Sequence, residues 1–219
     1  MGNQNKKALI TGAGSGIGLA LAKKLLNEGY DVIATSRSGK IEGFEHDNLT
    51  VVPLELKDEE SVANLAAQVK DIDLLINNSG IAPDVFAVVP DKNSFNETIA
   101  VNLTGTVFFT EAVLPSLKNS GQIFFISSNM GLPKNAAENG PAYRISKAGI
   151  NMYAAVLSQR LSERDIKVTP MHPGWVQTRL GGGSAPFTPE QSADALYHGI
   201  MTNFETGKFW NAELRVVEE

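Results

Sequence analysis

Lys7-Ala8-Leu9-Ile10-Thr11-Gly12-Ala13-Gly14-Ser15-Gly16-Ile17-Gly18 decides the fold of this chain. Its first part is a short apolar strand that runs straight into a glycine-rich turn. After the turn, Leu19, Leu21, Ala22, Leu25 and Leu26 recur at helical spacing. Glycines let a backbone approach a diphosphate closely, and the helix that follows presents free N–H groups and the positive end of its dipole. Gly12, Gly14, Ser15, Gly16, Ile17 and Gly18 are therefore candidate nucleotide-binding residues. The spacing, Thr-Gly-x-x-x-Gly-x-Gly, departs from the commoner Gly-x-Gly-x-x-Gly fingerprint.

A second strand, Asp31 to Thr35, follows Gly29 and runs into Ser36-Arg37-Ser38. At this place an acidic residue suits the free ribose 2'-hydroxyl of NAD, whereas an Arg suits the 2'-phosphate of NADP. With no carboxylate present, Ser36 and Arg37 predict NADP(H) in preference to NAD(H).

The alternation persists downstream. Leu49 to Leu56 reads as a strand, and Asp58 caps a helix running to Val69. The next strand, Ile72 to Ile76, ends in Asn77-Asn78-Ser79-Gly80. A connection flanked by Pro83 and Pro90 leads into one long helix, Ser94 to Leu117. That helix carries Asn102 on an apolar face, where an amide must be hydrogen-bonded, so it either satisfies a local kink or belongs to a site. A strand from Gln122 to Ile126 ends in Ser127-Ser128, and another from Ile166 to Met171 leads into His172-Pro173-Gly174-Trp175-Val176-Gln177-Thr178. Gly181 to Pro186 reads as a lid or hinge, which places a substrate lid at about 178–203. Thr188-Pro189-Glu190-Gln191 starts a last helix, and the tail from Gly207 supplies an edge strand. Six strands alternating with helices predict an α/β chain: a Rossmann-type doubly wound parallel sheet in three α/β/α layers, one domain over residues 1–219.

The remaining chemistry lies in Pro141-Ala142-Tyr143-Arg144-Ile145-Ser146-Lys147, at the start of a helix running to about Ser162. One turn of spacing puts Tyr143 and Lys147 on the same face. A phenol with a pKa near about 10 exchanges protons poorly at neutral pH, and a fixed positive charge beside it favours the phenolate. This helix also has more apolar surface than one core face needs, covered by a partner subunit or within the domain.

Composition narrows the possibilities. The 219 residues, 42% hydrophobic and 20% charged, suffice for one core. A net charge of -5 without any Lys or Arg block argues against nucleic acid. No apolar run approaches a membrane span and the start shows no secretory segment, so a cytoplasmic protein is expected, without a membrane partner. Zero cysteines excludes disulfides and thiolate chemistry, and His46, His172 and His198 share no spacing, so no metal site is expected.

These motifs occur together in the order of the classical short-chain dehydrogenase/reductase family, which the chain resembles: Thr11-Gly12-x-x-x-Gly16-x-Gly18, Asn77-Asn78-Ser79-Gly80, Asn102, Ser128, Tyr143-x-x-x-Lys147 and Pro173-Gly174. AYRISKAGIN and HPGWVQTRLGGGSAPFTPEQSA are similar to the subgroup of C-factor and sniffer-type carbonyl reductases. The resemblance implies an NADP(H)-dependent oxidoreductase that moves a hydride between nicotinamide and a carbonyl or secondary alcohol. It implies Tyr143 as general acid/base and Lys147 as the group that tunes it and holds the nicotinamide ribose. Ser128 would polarise the carbonyl, with Ser127 in reserve, and Asn102 would hold a water linking Lys147 to solvent. It extends the cofactor set to Leu56, Asn78, Ser79, Gly80, Tyr143, Lys147, Pro173, Gly174, Val176 and Thr178. The adenine contact falls to Glu55 or is displaced towards Asp58. A homodimer or homotetramer acting on a small molecule is expected. The competing reading is a non-catalytic NADP(H)-binding regulator or scaffold of the same fold.

Overall fold

A computed structural model describes residues 5–202 and 205–218. The first residues of the chain and the last position of the expected lid, 203, lie outside the described residues. The strands are β1 (Lys7–Ile10), β2 (Asp31–Ser36), β3 (Leu49–Pro53), β4 (Ile72–Asn77), β5 (Leu117–Ile126), β6 (Lys167–His172), β7 (Phe209–Asn211) and β8 (Val216–Glu218). The α-helices are α1 (Gly16–Asn27), α2 (Glu59–Gln68), α3 (Lys92–Ile99), α4 (Thr106–Val113), α5 (Pro141–Arg160) and α6 (Pro189–Met201).

One eight-stranded sheet holds the chain together in the order β3-β2-β1-β4-β5-β6-β7-β8. Every neighbouring pair is parallel except the last, where β8 runs antiparallel to β7. The expected edge strand in the tail is thus a short hairpin. Period-two alternation sends side chains to both faces, so each strand feeds two cores. Ala8, Ile10, Leu74, Ile76, Phe124 and Ile126 meet α1 and α6 on one face. Leu9, Leu75, Ile123, Phe125 and Val168 meet α2, α4 and α5 on the other. Strand order reverses direction between β1 and β4, and the carboxyl ends of β1, β4, β5 and β6 open onto one edge, where ligands bind in sheets of this kind.

Two expectations need correction. The long helix from Ser94 to Leu117 is not continuous: α3 passes through a π-helical turn, Ala100–Gly105, into α4, and ends in a 3₁₀ turn, Leu114–Ser116. The π turn holds Asn102 and Gly105 buried, and Gly105 sits where a Cβ would lie 2.7 Å from the Leu56 carbonyl oxygen. The run 92–116 is also long and apolar enough, by length and composition, to cross a membrane, contrary to the expectation from the sequence. Its Asn102, Thr106, Phe109, Thr110 and Val113 are buried in the domain.

The glycine-rich part of the expected lid is clipped onto itself. Trp175 Nε1 donates to the Gly181 carbonyl at 2.8 Å, Gln177 Nε2 to that of Ala185 at 2.9 Å, and Gln177 N to that of Phe187 at 2.8 Å. Its helical part is α6, started by a Thr188–Gln191 capping box and buried through Ser192, Ala193, Leu196, Gly199 and Ile200. That half of 178–203 is a core element.

Candidate active site

The glycine turn is latched to β4 by a hydroxyl. Thr11 Oγ1 accepts from the backbone N–H groups of Asn78 (2.9 Å) and Ser79 (3.0 Å). Asn78 Nδ2 reaches back to the carbonyls of Thr11 (2.9 Å) and Gly12 (3.2 Å). The absent side chains define the cradle. A Cβ on Gly18 would lie 2.4 Å from Asn78 Nδ2 and 2.5 Å from the Gly12 oxygen, and one on Gly12, at φ +68°, would lie 2.8 Å from Ser79 Oγ. Thr178 stands 3.2 Å from the Cβ position of Gly16, which brings the strand-six loop over the turn. Ser15 starts α1 without a side-chain cap, and the first turn carries no acidic residue, so its N–H groups face outward with the dipole uncompensated. This donor set fits a dinucleotide diphosphate.

Ser36 closes the second side. It abuts Gly14, whose Cβ would lie 3.2 Å from Ser36 Cβ, and its hydroxyl is held by the Lys40 backbone at 2.8 and 3.1 Å. Arg37 projects into solvent without a hydrogen-bond or ion-pair partner among the described residues. Leu56 is buried against Gly105. Asp58 spends its carboxylate capping α2, accepting from Glu60 N (3.0 Å) and Ser61 N (3.3 Å), while Glu55 accepts from Lys57 N at 3.3 Å.

The carboxyl edge of β5 and the first two turns of α5 bring the expected chemical group together. Tyr143 is buried, with its phenol facing the Ser128 side chain. Burial pushes the phenol up to about 12, and the neighbouring Ser128 hydroxyl works against that rise. Lys147 Nζ lies 5.5 Å from the Tyr143 ring centroid and donates to the Ile126 carbonyl at 2.8 Å. Burial lowers its ammonium to about 8. Burial is the largest influence on both groups and acts in the direction of neutrality, and the lysine's hydrogen bond goes to backbone.

The two serines part company. Ser127 is buried and donates to Asn151 Oδ1 at 2.6 Å, tying β5 to α5, whereas Ser128 faces Tyr143 and accepts from Met130 N at 3.2 Å. Asn102 Oδ1 accepts from Ile81 N (2.8 Å), and its Nδ2 donates to the Ile81 carbonyl (2.7 Å) and Ser146 Oγ (3.2 Å). Ser146 Oγ in turn donates to the Tyr143 carbonyl at 2.7 Å. Asn102 thus bonds no backbone of its own turn, where Thr106 Oγ1 donates to the Val101 carbonyl at 3.2 Å; it ties the Ile81 backbone to Ser146 instead. Asn102 Oδ1 and Lys147 Nζ border the same gap above Gly80, 3.5 and 3.6 Å from its Cβ position. Pro173, Gly174 and Val176 line the exit of β6, with Gly174 at φ +86° where a Cβ would meet Phe187 at 3.2 Å. Among the described residues no group of His, Asp and Glu could hold a metal ion.

Sequence reasoning passed over four residues that this arrangement uses: Thr11 as a latch, Ser146 between Asn102 and Tyr143, Asp84, and Arg144. Thr11, Ser146 and Arg144 lay inside quoted motifs. Asp84 is buried in the connection after β4, and its only sequence signal is indirect, since Gly140 and Pro141 begin α5 with no capping side chain.

The model of the family described as short chain dehydrogenase matches residues 6–186. The 3-oxoacyl-[acyl-carrier-protein] reductase FabG of Haemophilus influenzae is 31% identical over 220 residues, which cover 96% of this chain and 87% of that protein. Carbonyl reductase Sniffer of Drosophila melanogaster superposes with a TM-score of 0.89 at 27% identity, over 96% of this chain and 98% of that one. The NADPH-bound carbonyl reductase from chicken fatty liver gives a TM-score of 0.84 at 28% identity, over 98% of this chain and 99% of the other.

Proposed function

The chain belongs to the short-chain dehydrogenase family, and on that footing we propose that it is a cytoplasmic NADP(H)-dependent oxidoreductase acting on a carbonyl or secondary alcohol, with Tyr143 as general acid/base. The observation that carries the reading is the convergence of Ser128, Tyr143 and Lys147 at the carboxyl edge of the sheet, beside a glycine turn that leads into the uncapped N-terminus of α1.

The cofactor, when bound, supplies the hydride chemistry, and this chain supplies position and protons. Gly12, Gly14, Ser15, Gly16, Ile17 and Gly18 would hold the diphosphate, Ser36 and the free guanidinium of Arg37 the 2'-phosphate, and Asn78, Ser79, Gly80, Pro173, Gly174, Val176 and Thr178 the nicotinamide half. NADPH in the chicken-liver carbonyl reductase supports this choice of cofactor. Ser128 donates to the substrate oxygen, and Tyr143 delivers its proton to that oxygen as negative charge develops there. Tyr143 carries its proton as a phenol, the form that carbonyl reduction asks of it, and the Ser128 hydroxyl and the Lys147 charge offset the rise that burial imposes on that proton's release. Lys147, still mostly cationic at neutral pH, stabilises the phenolate left behind. Asn102, whose Oδ1 flanks the Gly80 Cβ position together with Lys147 Nζ, would hold a water that links the lysine to solvent.

A second copy of the chain would sit on the outer face of α4 and α5, where Phe108, Met152 and Val156 are exposed beside the Tyr153–Glu111–Arg160 network. The test of the activity is consumption of NADPH against a panel of aldehydes and ketones by the wild type and by Tyr143→Phe. Turnover by the wild type and its near-complete loss in the variant, with NADPH still bound, is the expected result. NADPH binding without turnover across the panel would favour a regulator or scaffold instead.

A further inference from the structure

The helix that carries Tyr143 and Lys147 has no cap of its own. Gly140 stands at the N-cap in a left-handed conformation without a side chain, and Pro141 at the first helical position has no N–H. The orphan donors are therefore those of Ala142 and Tyr143. Both point at one carboxylate oxygen from a distant segment: Asp84 Oδ2 accepts from Ala142 N at 2.7 Å and from Tyr143 N at 3.4 Å. Asp84 is only 3% exposed, and its Oδ1 is buried without a hydrogen-bond partner among the described residues. A carboxylate so placed draws its compensation from the positive end of the helix. The same contact fixes the connection after β4, because Gly140 N donates to the Ala87 carbonyl and Asn139 Nδ2 to that of Val85, both at 2.8 Å.

Arg144, one residue past Tyr143, acts on the opposite wall. Its Nε and Nη2 grip Asn139 at the carbonyl (2.7 Å) and Oδ1 (3.1 Å), and its Nη1 donates to the carbonyls of Asn135 (2.8 Å) and Met130 (3.5 Å). A planar guanidinium fills these directions at once, which an ammonium cannot do. Asn139 links the two sides, since it is held by Arg144 and holds Val85.

We propose that the first turn of α5 is a clamp, with Asp84 and Arg144 as its two jaws, that presses the 81–90 and 129–139 loops against Tyr143 and so places its phenol for proton transfer. Asp84 and Arg144 are positioning residues for the reaction proposed above, on which this inference rests. Neither touches the reacting atoms. Asp84 registers the helix, and therefore Tyr143, against the loop that Asn102 holds at Ile81. Arg144 sets the shape of the loop that begins at Ser128.

The test compares Asp84→Ala, Asp84→Asn, Arg144→Met and Arg144→Lys with the wild type by steady-state kinetics, NADPH binding and amide hydrogen exchange. An asparagine oxygen still accepts from the helix N–H groups. Asp84→Ala is expected to lower kcat about tenfold or more with NADPH affinity unchanged, and to speed exchange at the Ala142 and Tyr143 amides. Asp84→Asn should restore most of both. Arg144→Met should raise KM more than it lowers kcat and speed exchange over 129–139, and Arg144→Lys should not rescue it. Wild-type exchange at Ala142 and Tyr143 in Asp84→Ala overturns the proposal, as does equal damage in Asp84→Ala and Asp84→Asn. If the wild type turns over no carbonyl, the exchange data alone judge the clamp, and the failure belongs to the functional reading.

Discussion

Lys147 stands with its Nζ 5.5 Å from the ring centroid of Tyr143 while its hydrogen bond goes to the Ile126 carbonyl. The two groups share one buried volume, and burial drives the ammonium down to about 8 and the phenol up to about 12. The cation that stabilises the developing phenolate is therefore the group that titrates first. Carbonyl reduction should fall as pH rises through about 8, as Lys147 loses its proton. A kcat profile that stays level well above that value would contradict the role given to Lys147.

The proposed preference for NADP(H) rests on Arg37. The guanidinium is exposed and uncommitted beside Ser36, so its removal costs the fold little. Losing charge-assisted contacts to a 2'-phosphate is worth about 1.5–3 kcal/mol. Arg37→Asp should lower the ratio of NADPH to NADH efficiency by about 10- to 100-fold, read from kcat/KM with each cofactor. An unchanged ratio would mean that Arg37 is a solvated loop residue.

Two glycine substitutions separate the cradle from the lid. Gly18→Ala places a methyl 2.4 Å from Asn78 Nδ2 and 2.5 Å from the Gly12 oxygen, so it should cost about 1–3 kcal/mol in urea unfolding and abolish NADPH binding. Gly183→Ala meets nothing within 4 Å. It should leave stability within about 0.5 kcal/mol of the wild type.

His172 makes the fold sensitive to acid. Burial holds its imidazole down to about 4, against a slight upward pull from Glu218. The 3.8 Å contact of Nε2 with Glu213 is thus a contact of a neutral ring at physiological pH rather than an ion pair. Between the ordinary value of 6.5 and about 4 the unfolded chain binds the proton and the folded chain does not, so stability falls as pH falls through that window. The loss should be on the order of 3 kcal/mol by denaturant titration, and His172→Asn should flatten that part of the curve.

The exposed apolar face of α4 and α5 predicts an assembly. A charge there, as in Val156→Glu or Phe108→Glu, should convert the assembled species to monomer in sedimentation at micromolar concentration. A wild type that sediments as a monomer would refute the expectation.

Much of this was legible in the sequence because its signals are local. The strand, glycine turn and helix from Lys7 to Asn27, the capping box at Thr188–Gln191, and the i,i+4 pair Tyr143–Lys147 are each set by residues within a few positions of one another. What escaped depends on contacts across the chain. Helical periodicity continues through a π turn, so Ser94 to Leu117 read as one helix, although Asn102 in its apolar face marked the place of the interruption. Asp84 carries no local signal, because the helix that it caps begins after Gly140. Trp175 and Gln177 bind the glycine stretch that read as a lid or hinge, through carbonyls that carry no sequence signature.

The latch at Thr11 also bears on how the chain matures during synthesis. The hydroxyl that shapes the glycine turn is matched to amides 67 and 68 residues further on. A nascent chain that has released only β1, α1 and β2 from the ribosome holds the whole nucleotide fingerprint and none of its counterpart. The turn becomes competent only once β4 has emerged and docked alongside β1. The proposed nicotinamide cofactor would then be a late ligand, binding a half-sheet whose middle strands are already paired.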